Sequence, residues 1–366
     1  MTGFIFREAP PAWGFLAGRC ADEDALVDQL LEVAERAGIP PAGAAEQAAV
    51  WIEAVRADRR EHQGLNALLR EYDLTGAEGV ALMCLAEALL RVPDAATTDR
   101  LIRDKLTAPD WARHLGHGDS LFVNAATWAL LFGERVVAEP PEHRGPGALL
   151  QRLAARLGAP VLRGACRRVV ALLGDRFVLG ADLSAALRRA APQAAAGYRH
   201  SFDMLGEAAR TAADAEAYLT AYREAIRSAG ASAAAGPIEA RPGVSVKLSA
   251  LHPRYEFAQR ARLLDELLPR LRELCRAARA ADIALTLDAE EAERLPLQIA
   301  LLEAVGTDPE LRGWDGLGLA VQAYQKCALA LIDHLAGWAR QAGRRLQVRL
   351  VKGAYWDGEI KFAQEQ

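Results

Sequence analysis

The side chains in this sequence that could do chemistry recur at one kind of place, the end of a short apolar run. The run "GVSVKLSA" (243–250) carries Lys247. A lysine there is either a functional cation or one whose stem lies along a wall while its head reaches solvent. The run "ALTLDAE" (284–290) ends in Asp288 and Glu290, two residues apart and so on one side of a strand. The same carboxylates would also suit the first turn of a following helix. The run "GLGLAVQAY" (316–324) brings Gln322 and Tyr324, with Lys326 two residues on, facing the same way or already in a loop. The Gln322 amide donates and accepts, so it can read the edge of a heterocycle or sit satisfied in a core. The run "RLQVRLVKG" (345–353) leads into Arg349, Lys352, Gly353, Tyr355 and Trp356. Two cations, a glycine and two aromatics suit a flat, anionic, phosphate-bearing cofactor. The cations meet phosphate, the glycine lets backbone approach closely, and the rings form a wall.

These runs must be strands for the residues to converge. With "HSFDML" (200–205) they make five, separated by helical periodicity at about 211–229, 258–281, 292–306 and 327–342. Strand–helix alternation predicts parallel strands with right-handed crossovers, and strands apolar at consecutive positions are covered on both faces. No glycine-rich dinucleotide fingerprint follows any strand, so a (β/α)8 barrel is expected rather than a doubly wound sheet. In such barrels the active site lies at the carboxyl ends of the strands, where all these residues fall. A whole barrel needs eight strands and about 250 residues. From residue 190 onward 177 residues remain, so the expectation is an incomplete barrel of about five βα units, with the rest outside these residues.

Before residue 190 the periodicity is helical. Asp22 is expected to cap a helix whose apolar stripe is Leu26, Leu30, Leu31, Val33 and Ala37. Further helices are expected in 76–106, 120–134 and 158–180, with a loop at 136–147. The expected division is an N-terminal helical arm over 1–60, a helical domain over 61–190 and the partial barrel over 191–366.

Composition narrows the function class. At 51% hydrophobic and 25% charged, the 366 residues can bury a substantial core. A net charge of -4 without a long basic block does not favour nucleic acid. The five cysteines are far apart with no CxxC, and the seven histidines show no HxH or HExxH spacing, so neither a disulfide framework nor a metal site is expected. No signal peptide or bilayer-spanning run is visible, which suggests a cytoplasmic protein.

The stretches "YRHSFDMLGEAA", "SVKLSALHPRY", "DAEEAERL", "VQAYQK" and "RLVKGAYWDGEIK" resemble the proline dehydrogenase barrel of bacterial proline utilization A. So do "EGVALMCLAEALLRVPDAATTDRLIRDKL" and "SLFVNAATWALL" upstream. The resemblance implies an FAD-dependent enzyme that oxidises L-proline to Δ1-pyrroline-5-carboxylate and passes electrons to a quinone, which is compatible with contact at the membrane periphery. It implies Lys247 near the substrate carboxylate, Asp288 beside substrate and flavin, and Gln322 and Arg349 at the isoalloxazine. Val351, Lys352, Gly353, Ala354, Tyr355 and Trp356 would line the cofactor, with Tyr355 also walling the substrate. Glu290 carries over only as part of the polar network at the strand ends. A cation such as Arg349 near the ring favours its electron-rich reduced form. The family's last three strands, with an arginine pair that clamps the substrate carboxylate, lie outside these residues, which leaves the activity of the fragment alone open. The aldehyde dehydrogenase half lies outside them too. The start resembles members without a basic ribbon-helix-helix module, so no specific DNA binding is expected. A homo-oligomer is left open.

Two other readings stand beside this one. In a Schiff-base lyase or aldolase barrel, Lys247 or Lys352 would attack a carbonyl. Alternatively, the helical part is an interaction module attached to a non-catalytic, broken barrel.

Overall fold

The computed structural model describes residues 11–38, 41–57, 97 and 178–365. The helices expected in 76–106 and 120–134, the loop at 136–147 and nearly all of 158–180 lie outside the described residues. Residue contacts divide the chain into two units, one of residues 1–37 with 182–366 and one of residues 38–181. In the second unit the main described element is α2 (Pro41–Ala57), whose Val50, Trp51, Ile52 and Val55 are exposed.

The first unit is α/β. Its sheet comprises β1 (Ser201–Asp203), β2 (Gly243–Val246), β3 (Leu285–Leu287), β4 (Leu317–Gln322) and β5 (Gln347–Val351). Every pairing is parallel and the spatial order follows the chain, β1-β2-β3-β4-β5. Helices α4 (Ala212–Ser232), α6 (Arg260–Ala280), α7 (Leu295–Gly306) and α8 (Ala328–Gln341) make the crossovers. A short helix, α5 (Leu248–Leu251), follows β2, and α9 (Trp356–Glu365) follows β5. The sheet curls into a half-barrel. In a flat sheet, β1 and β5 would lie roughly 19 Å apart at the usual strand spacing of about 4.8 Å. Yet the Arg349 guanidinium on β5 donates to Ser201 Oγ on β1 at 2.9 Å.

The register explains which face does what. Ser201, Gly243, Ser245, Thr286, Gly318, Ala320, Gln347 and Arg349 follow the inner face across paired positions. The alternate residues Val244, Val246, Leu285, Leu287, Leu317, Leu319 and Val321 are fully buried. Each such side chain contributes about 1.5–3 kcal/mol by leaving water. On β5 the pattern ends: Val348 is 45% and Leu350 60% exposed.

Three helices begin at capping side chains. Thr211 and Asp214 form a reciprocal capping box at the start of α4. Asp182 caps α3 (Leu183–Ala195), accepting from Ala185 N at 2.7 Å. Asp22 caps α1 (Glu23–Arg36), accepting from Ala25 N at 3.0 Å. The apolar stripe of α1, however, is not buried: Leu30, Leu31 and Val33 are exposed. The segment Pro11–Cys20, within the expected arm, is 3-10 helix. It packs on α8, with Trp13 and Phe15 buried and the Phe15 ring 5.0 Å from that of His334.

Candidate active site at the carboxyl ends of the strands

The strands are shorter than their apolar runs, and that places the polar residues just beyond them. β2 stops at Val246 because Lys247 is the residue before α5, whose four residues are all buried. The Lys247 N–H donates to the hydroxyl of fully buried Tyr222 at 3.1 Å. Asp288 follows the end of β3, and its N–H donates to Val246 O at 3.0 Å, which locks the two strand ends together.

Around these residues runs a chain of charges. Lys247 Nζ donates to both Asp203 oxygens, at 2.7 and 2.8 Å, and to Asp288 Oδ2 at 3.1 Å. Arg349 Nη1 donates to Asp288 Oδ1 at 3.1 Å, so one carboxylate is shared between two cations. Arg349 Nη2 donates to Ser201 Oγ at 2.9 Å and Ser245 Oγ at 2.8 Å, and the two hydroxyls lie 3.0 Å apart. Four strands thus fix one guanidinium and one ammonium.

The environment sets the charge states. Burial acts to lower the Lys247 pKa, but the bonds to Asp203 and the field of Asp288 outweigh it and raise it above the ordinary lysine value. A lysine held as ammonium is a poor amine nucleophile, so Schiff-base chemistry at Lys247 is disfavoured. Burial pushes the Asp288 carboxyl up, with Lys247 pulling it back down. Burial, then the carboxylates of Glu207, Glu290 and Glu291, raise the Tyr355 phenol, which stays protonated at neutral pH.

Asp288 and Glu290 do not share partners, despite their spacing. Glu290 is turned into a separate buried cluster. It accepts from Ser249 N at 3.0 Å and Arg294 Nη1 at 2.8 Å, and burial raises its pKa. Neither carboxylate caps the next helix. The residue before α7 is Arg294, with no side-chain cap bond.

Gln322 serves as a strut. Its Nε2 donates to Glu290 O at 2.9 Å and its Oε1 accepts from Ala354 N at 3.2 Å, tying the β3 end to the loop after β5. Lys326 faces elsewhere, because β4 ends at Gln322 and the chain turns. Its Nζ donates to Ala21 O at 2.9 Å and lies 3.4 Å from Glu23. Lys352, Ala354 and Trp356 are exposed, while Val351, Gly353 and Tyr355 are half-buried.

Applied only to the later four strands, the strand-end rule misses Asp203, and it does not reach Ser201 and Ser245 because they lie at the start of β1 and inside β2. Asp203 ends β1 within "HSFDML", and its two-residue spacing from Ser201 was the available signal. The histidines hold no metal cluster among the described residues. His200 bonds Gln193, and His252 bonds Glu266. Cys20, Cys275 and Cys327 are free thiols, and burial pushes Cys275 up to about 12.

Residues 186–366 match the family model for proline dehydrogenase. Residues 64–177 match a model described as the DNA-binding domain of proline dehydrogenase. The chain is 50% identical over 300 residues to the bifunctional protein PutA of Salmonella typhimurium, covering 82% of this chain and 23% of that protein. It is 45% identical over 342 residues to that of Rhizobium meliloti, covering 93% of this chain and 27% of that one. It therefore spans about a quarter of the length of these curated relatives. A crystal structure of a point mutant of proline utilization A from Bradyrhizobium japonicum superposes with a TM-score of 0.64 at 44% identity. That match covers 95% of this chain and 34% of the other.

Proposed function

Residues 186–366 belong to the proline dehydrogenase family, in a chain that matches the N-terminal region of PutA, and from that premise we propose that this chain forms the proline-oxidising part of a bifunctional proline catabolic enzyme. Its substrate is L-proline, its product Δ1-pyrroline-5-carboxylate, its cofactor FAD and its electron acceptor a quinone. The observation that carries this reading is the chain of charges from Asp203 through Lys247 and Asp288 to Arg349.

The residues present suit a flavin. The inner face of the half-barrel carries the small residues Ser201, Gly243, Ser245, Gly318 and Ala320. A supported cation, Arg349, sits over it, and the exposed Lys352 and Trp356 stand at the same rim. Asp288, Gln322, Arg349 and the stretch Val351, Lys352, Gly353, Ala354, Tyr355, Trp356 would hold the group. FAD, when bound, supplies the two-electron acceptor for the hydride that leaves the substrate carbon.

The rest falls to the protein's own side chains. Lys247 offers its ammonium to the substrate carboxylate. Asp288 keeps both cations in place, and Glu290 and Gln322 brace the strand ends beneath them. Tyr355, held as the phenol, forms an apolar wall with a polar edge. Proline bound with its amine neutral requires no general base from the protein. The test is anaerobic addition of L-proline to the FAD-loaded protein that carries this chain together with the family's last three strands. Bleaching of the visible flavin absorbance is expected, with a much higher KM in Lys247→Met; an unbleached spectrum sinks the reading.

The quinone acceptor brings the protein to a membrane surface, and among the described residues no helix is long and apolar enough to cross one. The match of residues 64–177 to a model described as DNA-binding weighs against the expectation of no specific DNA contact. A mobility shift of labelled DNA that survives non-specific competitor would decide for such contact.

A further inference from the structure

We propose that Asp203 is a positioning residue for substrate binding: it aims the Lys247 ammonium so that its remaining hydrogen-bond donor meets the incoming carboxylate. This rests on the reading of Lys247 as the carboxylate's partner.

Three observations carry it. First, the ammonium's shortest contacts are to Asp203, at 2.7 and 2.8 Å, against 3.1 Å to Asp288. An ammonium has three donors. The two oxygens of the one Asp203 carboxylate share a single N–H in a bifurcated bond and Asp288 takes the second; the third is then left for a ligand, and its direction is set by where the other two point. Second, the backbone of Lys247 is already fixed through its N–H bond to Tyr222. With that end held, Asp203 on β1 and Asp288 beyond β3 grip the head from two sides. Third, Asp288 also serves Arg349 through Oδ1. Without Asp203, the flexible lysine would settle on Asp288 and compete with Arg349 for it, which would disturb both cations.

The charge count separates this role from simple electrostatics. Lys247 and Arg349 against Asp203 and Asp288 make a neutral cluster. Removing Asp203 leaves a net charge of +1, which by Coulomb attraction alone should tighten the binding of an anion. A loss of orientation predicts the opposite sign.

The experiment uses the FAD-loaded protein and tetrahydrofuran-2-carboxylate, a ring carboxylate that cannot be oxidised at nitrogen. Its Kd is read from the flavin difference spectrum, and steady-state kinetics with L-proline run alongside. Asp203→Ala is expected to weaken the Kd by about tenfold and to raise KM similarly, with kcat changed by less than about threefold. Asp203→Asn, which keeps the shape and one acceptor oxygen, is expected to fall between. A Kd unchanged or tightened in Asp203→Ala overturns the proposal, as does loss of flavin from both variants, because the role assigned is confined to Lys247. Lys247→Met tells the two readings apart. If it leaves the Kd unchanged, the role of Lys247 fails. If it weakens the Kd while Asp203→Ala does not, only the role of Asp203 fails.

Discussion

Tyr324 lies against Gly353 so closely that a Cβ on Gly353 would come 2.0 Å from Tyr324 Cδ1. Gly353 also has φ +122°, a conformation that side-chain-bearing residues rarely adopt. The contact joins the loop after β4 to the loop after β5, and Tyr324 N donates to Lys352 O at 3.2 Å beside it. Gly353→Ala therefore meets strain and overlap together. A loss of roughly 2–5 kcal/mol is expected, with FAD affinity down by tenfold or more as residues 352–356 shift. Thermal melts and FAD titration check it; an unchanged Tm and Kd would mean that the loop relaxes freely.

The Gln322 strut can be tested through one atom. Gln322→Glu keeps the acceptor for Ala354 N but replaces the donor to Glu290 O with a second acceptor. Two buried oxygens then face each other, at a cost of about 1–3 kcal/mol. Protonation of the new carboxyl restores a donor, so its folded pKa should lie above its unfolded value. The variant's deficit should shrink as pH falls through that folded pKa. Melts across the acidic range check this, and a deficit independent of pH contradicts it.

Tyr222 offers a cleaner deletion. Its hydroxyl is buried and accepts the Lys247 N–H, and burial raises its pKa, so it remains a phenol. Tyr222→Phe leaves that N–H without its acceptor and should cost about 1–3 kcal/mol. It should also raise KM for L-proline more than it lowers kcat, because it loosens the lysine's anchor. Denaturant melts and kinetics measure the two effects, and an unchanged KM would separate Tyr222 from the site.

The five βα units were legible because periodicity switches from helical to short apolar runs after residue 190. Strand ends were not. "SVKLSAL" reads as one continuing run, but Leu248 to Leu251 form a helical turn buried all round, where alternation carries no information. Lys247 was legible because a charge inside an apolar run is costly without a partner, Asp288 by its place and spacing at a strand end, and Arg349 by the cation, glycine and aromatics that follow it. Asp203, the partner that binds Lys247 most closely, was passed over although the same rule applied to its strand. The turning of Lys326 onto Ala21, 305 residues away in sequence, had no local signal at all. The α1 stripe was legible as a pattern, yet a pattern says that a face is apolar and not what covers it.

Acid stability should depend on Glu266. Arg262 bonds its Oε1 through Nε at 2.7 Å and its Oε2 through Nη2 at 3.2 Å, and His252 Nε2 lies 3.1 Å from the same Oε2. Arg262 first, then His252, lower its pKa from the usual 4.5 to about 2. Because the folded value lies below the unfolded one, the unfolded chain binds the proton more readily. The pairing therefore stabilises the fold in full above pH 4.5 and is lost as pH falls to about 2. The group is exposed, so the effect is small and weakens further in salt. Glu266→Gln should lower Tm slightly at neutral pH, and the two Tm curves should converge between pH 4.5 and about 2. Low-salt melts over that window provide the measurement, and curves that stay parallel would show that Glu266 is not linked to folding.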